Sequence, residues 1–166
     1  MTLGRFTEPS LLIPQLSIAD QAGALNELSH CLQQAGRIED SLTFFQAVLQ
    51  SDYLSSSATE EGTAFLHARI RGIERLSFAM GLSRDTVRWR NGSKIQAIVL
   101  IAVPPAATQL YLALFAALTR VSRNTKLMCE LTACARPNDI WLLLNDVKLA
   151  ARAGMITGRK NAAPTA

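Results

Sequence analysis

The sequence predicts an α/β fold with a single mixed β-sheet flanked by helices, as three observations indicate. Apolar residues recur at helical spacing in the first and last thirds of the chain, whereas short apolar runs typical of strands fill the part between Thr63 and Ile101. Of the 166 residues, 49% are hydrophobic and 18% are charged, which is a globular composition. Helices followed by strands and then by helices again are typical of one sheet covered on its faces.

The length of the chain fits one domain, and no internal repeat or linker divides it. We expect this domain to cover residues 1–153. Residues 154–166 are small, polar and basic, and we expect them to form a frayed tail.

Two helices are predicted near the start of the chain. The first carries apolar residues at spacings of three and four, namely Leu25, Leu28, Cys31, Leu32 and Ala35. Ser17 or Asp20 can cap its beginning, and Gly36 is a typical end. The second helix follows at once and ends near Asp52. Its inward side is predicted to comprise Leu42, Phe45, Val48 and Leu49.

Strands are predicted in the middle of the chain. The segments are TAFLHARI, IERLSFAMGL, TVRW and IQAIVLIAV, and the last of them is a continuous apolar run suited to a buried strand. Asn91 and Gly92, between Trp89 and Ile95, predict a tight turn.

Helical spacing returns after Pro104 and Pro105. The apolar side of the next helix comprises Leu110, Leu114, Ala117, Leu118 and Val121. A segment of mixed character, TKLMCELTACA, then leads to a last helix with Pro137 in its first turn. The apolar side of this last helix comprises Ile140, Leu143, Leu144 and Val147.

Charge and cysteine spacing exclude several classes of function. The formal net charge of +4 is spread along the chain, and no alternation of basic and aromatic residues suited to nucleic acid is present. Cys31, Cys129 and Cys134 are odd in number and lack CxxC spacing, which argues against a disulfide framework and against a zinc site. We therefore expect no nucleic-acid partner, no metal and no cofactor.

We expect a cytoplasmic protein that does not insert into membranes. The N-terminus lacks the basic start and long apolar run of a signal peptide. The longest apolar stretch, AIVLIAVPPAA, is too short to span a bilayer, and two prolines interrupt it.

One of the two histidines, His67, lies within the apolar segment GTAFLHARIRG. It is either a core histidine with satisfied hydrogen bonds or a reactive centre. On a strand it shares a face with Phe65, Arg69 and Arg71, and nearby arginines favour the neutral imidazole, which is a nucleophile. The other histidine, His30, lies on the polar side of the first helix, so no companion for a metal ion is apparent. Attack of the imidazole on a phosphoryl group fits better, because arginines can stabilise the transferred oxygens.

The stretch AVLQSDYLSSSATEEGTAFLHARIRG resembles the active-site region of the enzyme IIA domains of the fructose–mannitol class. These domains belong to the phosphoenolpyruvate-dependent sugar phosphotransferase system, and the class includes the nitrogen-regulatory IIA-like proteins. The resemblance extends through Trp89, the strand closing with AVPP and the last helix, NDIWLLLND, so that it covers about Leu11 to Val147. The matching residues in the first stretch are Ala47, Val48, Leu49, Leu54, Ser56, Gly62, Ala64, His67, Ala68 and Arg69.

The resemblance implies that His67 accepts a phosphoryl group from the histidine-containing phosphocarrier protein. A sugar-specific protein of this class passes the group to a IIB domain, whereas a nitrogen-regulatory protein reports its phosphorylation state by binding a regulatory target. No sugar-transporting membrane domain or IIB domain forms part of this sequence, which favours the regulatory branch. The target protein and the oligomeric state are not identified by the sequence.

Several positions depart from the pattern of the family. Ser51 replaces an arginine, Leu66 replaces a proline, and Ala58 and Glu60 replace glycines. Tyr111 replaces a histidine that hydrogen-bonds the first one. The supporting site residues are therefore Arg69, Tyr111 and Ser51. Loss of an arginine and a histidine removes two groups that would stabilise phosphoryl oxygens.

Three interpretations remain open at this stage. In the first, the protein is a working phosphocarrier and at most a component of a phosphotransferase. In the second, it is a degenerate IIA-like module that regulates by binding and no longer carries phosphate. In the third, it is an unrelated α/β domain with a structural histidine. The resemblance favours a nitrogen-regulatory type of IIA-like protein with His67 as the candidate phosphorylation site.

Overall fold

The computed structural model describes residues 1–54 and 57–150, and for residues 53 and 54 it describes the backbone alone. The predicted tail over residues 154–166 lies outside these ranges. Two single-turn 3₁₀ helices, Leu3–Arg5 and Pro9–Leu11, open the chain. The strands and helices that follow are β1 (Leu12–Ile13), α1 (Gln21–Gln34), α2 (Ser41–Leu54), β2 (Thr63–Arg69), β3 (Ser77–Arg88), β4 (Lys94–Val103), α3 (Thr108–Arg123), α4 (Thr125–Ala133) and α5 (Pro137–Asn145).

The strands form one mixed sheet in the order β1-β3-β4-β2. β1 is parallel to β3, β2 is parallel to β4, and β3 and β4 are antiparallel. This arrangement confirms the predicted α/β fold with a single mixed sheet flanked by helices. This order makes β2, the strand that carries His67, an edge strand of the described sheet. Its one neighbouring strand there is β4.

Each face of the sheet packs against its own group of helices. Alternate residues of a strand point to opposite faces. The first core joins the sheet to α1 and α2 through Leu25, Leu28, Phe44, Val48, Leu66, Ile98 and Leu100. The second core joins it to α3, α4 and α5 through Phe65, Phe78, Val99, Ile101, Leu114, Leu131 and Ile140. Because β4 is covered on both faces, its sequence is apolar without alternation.

The start and end signals of α1 act as predicted. The Asp20 side chain accepts a hydrogen bond from the Gly23 backbone N–H at 2.8 Å, which satisfies one of the free donors at the helix start. Gly36 follows the helix with a φ of 70°, a conformation that costs a residue with a side chain more than glycine.

The predicted inward side of α2 is partly wrong. Phe44 and Val48 are buried, whereas Leu42, predicted to face inward, is 59% exposed. The segment from Ser41 to Ser51 contains no charged residue, so apolar side chains occur all around the helix. Its periodicity therefore does not distinguish the core side from the opposite side.

A pair of alanine substitutions on α2 tests this corrected orientation. Val48→Ala removes two buried methyl groups, so we expect a loss of about 2 kcal/mol in the free energy of unfolding. Leu42→Ala, on the exposed side, is expected to change it by less than about 0.5 kcal/mol. Urea unfolding followed by circular dichroism measures both values. A larger loss for Leu42→Ala than for Val48→Ala would contradict the orientation.

Two further elements differ from the sequence-based expectation. The segments IERLSFAMGL and TVRW belong to one strand, β3, because an irregularity in its pairing with β4 between Leu82 and Val87 absorbs the polar residues there. The segment TKLMCELTACA contains a true helix, α4, whose start is capped by Asn124 accepting from the Leu127 N–H at 3.1 Å. A helix of nine residues is too short for its periodicity to be clear.

The last helix begins at Pro137, as predicted, and buries Ile140 and Leu144. Within the described ranges, no helix combines the length and the apolar character needed to cross a bilayer.

Candidate functional site

His67 lies on the edge strand, with its side chain exposed, whereas its neighbours Leu66 and Ala68 are 4% and 5% exposed and belong to the core. His67 therefore is not a core histidine. It lines a cleft of about 270 Å³. The end of α2 contributes Ser51 and Asp52 to this cleft, the loop before β2 contributes residues 57–59, and α3 contributes Tyr111 and Phe115.

Helix α3 runs beside β2 in the opposite direction and brings Tyr111 to His67. The Tyr111 hydroxyl oxygen is 3.3 Å from His67 Nδ1, and the two ring centroids are 5.2 Å apart. One turn along the helix, Phe115 packs edge-on against Phe65, with centroids 5.3 Å apart. Two residues on a strand and four on a helix cover similar distances, so these successive pairs hold the helix in register with the strand.

The contact between the two rings has a chemical consequence for His67. When Nδ1 carries the proton of the neutral imidazole, it donates to the tyrosine oxygen, and the lone pair lies on Nε2. Tyr111 then fixes the tautomer and the orientation of the ring. Nε2 is the nitrogen that remains for nucleophilic attack.

Arg69 links the end of β2 to the loop before α3. Its Nη1 donates to the carbonyl oxygens of Pro105 at 2.8 Å and Pro104 at 3.4 Å, and to the Thr108 hydroxyl at 3.2 Å. These bonds hold the first turn of α3 against the strand. They also keep a guanidinium charge close to the pair formed by His67 and Tyr111.

Burial and this charge shift the pKa values of both rings. His67 is open to solvent on one side, but the walls of the cleft remove water from the other side of its ring. This desolvation, and after it the positive charge of Arg69, lowers the pKa of His67 below its usual value, which favours the neutral imidazole. Burial raises the pKa of Tyr111, and Arg69 opposes this shift in part. The site therefore holds a neutral nucleophile beside a neutral phenol.

Removing the Arg69 charge tests this electrostatic arrangement. In Arg69→Met we expect the pKa of His67 to rise, because the imidazolium is no longer repelled by a neighbouring cation. Arg71→Met is the matched control, since Arg71 lies beyond the end of β2 and lines a separate cavity with Ile38 and Glu39. Titration of the imidazole signals by NMR measures both values. If the pKa of His67 rose equally in both variants, the shift would come from the change in net charge and not from the position of Arg69 beside the imidazole.

Asp52 is a buried carboxylate in the wall of the cleft, and sequence reasoning did not single it out. It is 7% exposed and accepts hydrogen bonds from Gln21 Nε2 at 2.6 Å, from the Ser57 N–H at 3.3 Å and from the Ser57 hydroxyl. It thus joins α1 and α2 to the loop beside His67. Its place directly after Ser51, which the resemblance had already singled out, was a signal that could have identified it.

Among Ser51, Glu60 and Arg71, which the sequence also singled out, only Ser51 lines the cleft. It does so as expected for the position at which the resemblance implies an arginine. Glu60 is exposed, and Glu61 forms an ion pair with Arg123 at 3.7 Å. Ser56 lies outside the described residues. Arg71, which the strand pattern placed on the face of His67, does not line the cleft.

His30 is exposed on α1 and does not line the cleft. Within residues 1–54 and 57–150, no group of three or more histidine, cysteine, aspartate or glutamate side chains could hold a metal ion.

Comparison with known proteins identifies a family whose sequence model matches this chain and several structures with a similar fold. The sequence model of the family described as "Phosphoenolpyruvate-dependent sugar phosphotransferase system, EIIA 2" matches residues 5–147. The structure is similar to that of the nitrogen regulatory protein IIA-Ntr from Neisseria meningitidis, with a TM-score of 0.73 and 17% identity over 86% of this chain and 98% of that chain. It is also similar to IIA mannitol from Escherichia coli, with a TM-score of 0.69 and 14% identity over 83% of this chain and 98% of that chain.

A third similar structure comes from a complex of enzyme IIA of the mannitol system with phosphorylated enzyme IIB, also from Escherichia coli. Its TM-score is 0.66, with 16% identity over 83% of this chain and 96% of that chain. At these identities the structural similarity shows the fold alone.

Proposed function

Because this chain belongs to the EIIA 2 family of the phosphoenolpyruvate-dependent sugar phosphotransferase system, we propose that it is a nitrogen-regulatory type of IIA-like protein with His67 as its phosphoryl acceptor. The donor is the histidine-containing phosphocarrier protein, and the phosphorylation state is reported to a regulatory target protein in the cytoplasm. The observation that carries this proposal is the exposed, neutral imidazole of His67 with its Nδ1 at the Tyr111 hydroxyl.

The chemical step uses the nitrogen that faces away from Tyr111. His67 Nε2 attacks the phosphorus, a new N–P bond forms, and the N–P bond to the imidazole of the carrier breaks, leaving the electron pair on that imidazole. The charge that develops on the His67 ring is stabilised at Nδ1–H by the tyrosine oxygen. The Arg69 guanidinium does not line the cleft, so it stabilises the transferred oxygens through its positive charge near His67 and not by a direct contact.

Removal of the Tyr111 hydroxyl tests the positioning of the imidazole. Tyr111→Phe keeps the ring but deletes the acceptor for Nδ1–H, and one such hydrogen bond contributes about 1 kcal/mol. We expect the rate of His67 labelling to fall roughly fivefold. Trp141→Phe is the control. Trp141 lies on α5, outside the cleft, and the substitution removes the hydrogen bond that its indole N–H donates to the Gly4 carbonyl at 3.1 Å. Equal labelling rates in the two variants would contradict a role for Tyr111 in the transfer.

A second candidate function has a specific observation in its favour. The described residues that line the cleft include no arginine or lysine, but they do include the carboxylate of Asp52. A phosphoryl group seated there meets an acidic group and hydroxyl groups where the family has an arginine. This composition favours a IIA-like module that binds a partner without carrying phosphate.

The two candidates differ in one measurement. The purified protein is incubated with phosphoenolpyruvate, the first enzyme of the system and the phosphocarrier protein, and ³¹P NMR is used to detect phosphohistidine. A signal that disappears in acid supports the phosphoryl acceptor. Its absence, with a IIA protein of the mannitol system labelled in parallel, supports the binding module.

A further inference from the structure

A second cavity, larger than the cleft, lies at the side of α2 away from His67. Its volume is about 610 Å³, within the range of about 300–1,000 Å³ typical of sites that bind ligands. It is formed by the start of α1, the last turns of α2 and the turn after β3. We call it the hairpin groove. Its apolar walls are the exposed side chain of Ala22 and the half-buried side chain of Leu49, and Trp89, which also lines it, is 4% exposed and belongs to the core. Arg88 and Arg90 also line it.

The apolar wall of the hairpin groove continues along α2. Leu49, Phe45 and Leu42 are spaced by four and three residues, which places them on one side of the helix. Leu42 is 59% exposed, and Phe45 and Leu49 are half-buried. A helix surface with this spacing and without charge is typical of a helix–helix contact rather than of a surface facing water.

The charges around the hairpin groove are mainly positive. The hairpin segment over residues 84–94 contains four basic residues and one acidic residue. Both carboxylates in the groove are bound within the protein: Asp20 accepts from the Gly23 N–H, and Asp52 accepts from Gln21 and Ser57. Acidic groups on a partner would be attracted by the excess positive charge of the hairpin segment, which includes the exposed side chain of Arg88.

We propose that the hairpin groove docks an amphipathic helical segment of a partner protein. The partner lays an apolar side chain over Ala22 and Leu49, packs along the side of α2, and places its carboxylates near the exposed side chain of Arg88. Arginine rims around an apolar centre are typical of protein interfaces.

The hairpin groove is joined to the His67 cleft by residues that the two cavities share or that link them. Asp52 lines both cavities. Gln21 donates to Asp52 and accepts from the Arg90 backbone N–H at 2.9 Å, so one side chain bridges the hairpin and the carboxylate that holds Ser57. A partner in the groove contacts this bridge while leaving the face of His67 uncovered.

NMR with a synthetic probe tests the proposal on the unphosphorylated protein, so the result does not depend on whether His67 accepts phosphate. The probe is a helical peptide with leucines spaced by three and four residues and glutamates beside them, and the control peptide carries lysine in place of each glutamate. We expect the glutamate peptide to shift the amide signals of Ala22 and Leu49 and the indole N–H signal of Trp89. The indole of Trp141, on α5, is the internal reference and should not shift.

Charge reversal provides the matched variants. Arg88→Glu with Arg90→Glu is expected to weaken binding of the glutamate peptide by at least about tenfold. The control, Arg5→Glu with Arg71→Glu, makes the same change in net charge at two exposed positions elsewhere and should leave the affinity within about twofold.

Three results would overturn the proposal. They are an unshifted Trp89 signal with the glutamate peptide, equal binding of the lysine peptide, and equal affinities in the two charge-reversed variants. The backbone N–H groups of Arg88 and Arg90 donate to the Ala19 carbonyl and to Gln21 Oε1, and the charge reversals leave these two backbone donors in place. Thermal unfolding of both variants verifies that they are folded.

Discussion

Replacing His67 by alanine is expected to abolish phosphorylation of this protein. The parent protein, incubated with phosphoenolpyruvate, the first enzyme of the system and the phosphocarrier protein, should acquire an acid-labile, alkali-stable phosphoryl group. His67→Ala removes the nucleophile, and no other imidazole lines the cleft among the described residues. The fold should persist, because the side chain is exposed at the edge of the sheet.

The second histidine of the chain provides the control. His30 is exposed on α1, so His30→Ala should retain the full label. Loss of label in His67→Ala alone assigns the phosphoryl group to His67. A label that survives in His67→Ala, or that His30→Ala removes, would contradict the assignment.

Ser51→Arg combined with Tyr111→His is expected to accelerate labelling of His67. Ser51 lines the cleft at the end of α2, and an arginine there would bring a cation to the phosphoryl oxygens. A histidine in place of Tyr111 would supply a nitrogen donor that is able to carry a positive charge. Each hydrogen bond to a charged group contributes about 1.5–3 kcal/mol. Each replacement should then increase the rate by about tenfold to a hundredfold.

The neighbouring position on α2 separates a local effect from a change in net charge. Gln50 is exposed and does not line the cleft, so Gln50→Arg with Tyr111→His adds the same charge outside the site. We expect the variant with arginine at position 51 to be labelled faster than this control. Equal rates would contradict the idea that Ser51 limits the transfer.

These two experiments together distinguish the candidate functions. Slow labelling of the parent and faster labelling of the double variant would support a phosphoryl acceptor with a weakened site. No label in the parent but label in the double variant would indicate that the natural residues Ser51 and Tyr111 prevent phosphate transfer. No label in either protein would leave the binding module.

Local patterns were sufficient for most of the fold. The spacing of Leu25, Leu28 and Leu32 predicted α1, and Asp20 and Gly36 marked its ends, because caps act over one turn of the chain. The continuous apolar run of β4 predicted a strand buried on both faces. In contrast, the inward side of α2 and the unbroken length of β3 depended on packing. An uncharged helix has two apolar sides, and an irregularity in the pairing of β3 compensates for its polar residues.

The sequence by itself determined the family and the candidate nucleophile, because the residues that carry the resemblance are adjacent in the chain around His67. The resemblance also predicted Tyr111 beside His67, although 44 positions separate them in the chain, and the structure places the hydroxyl oxygen 3.3 Å from Nδ1. Only the tertiary structure decided which of the remaining groups reach the cleft. Arg71, four positions from His67, leaves the strand and lines another cavity. Asp52 connects to Gln21 across two helices. Contacts of this kind depend on how elements pack, and packing brings together residues whose separation in the sequence carries no signal of their proximity.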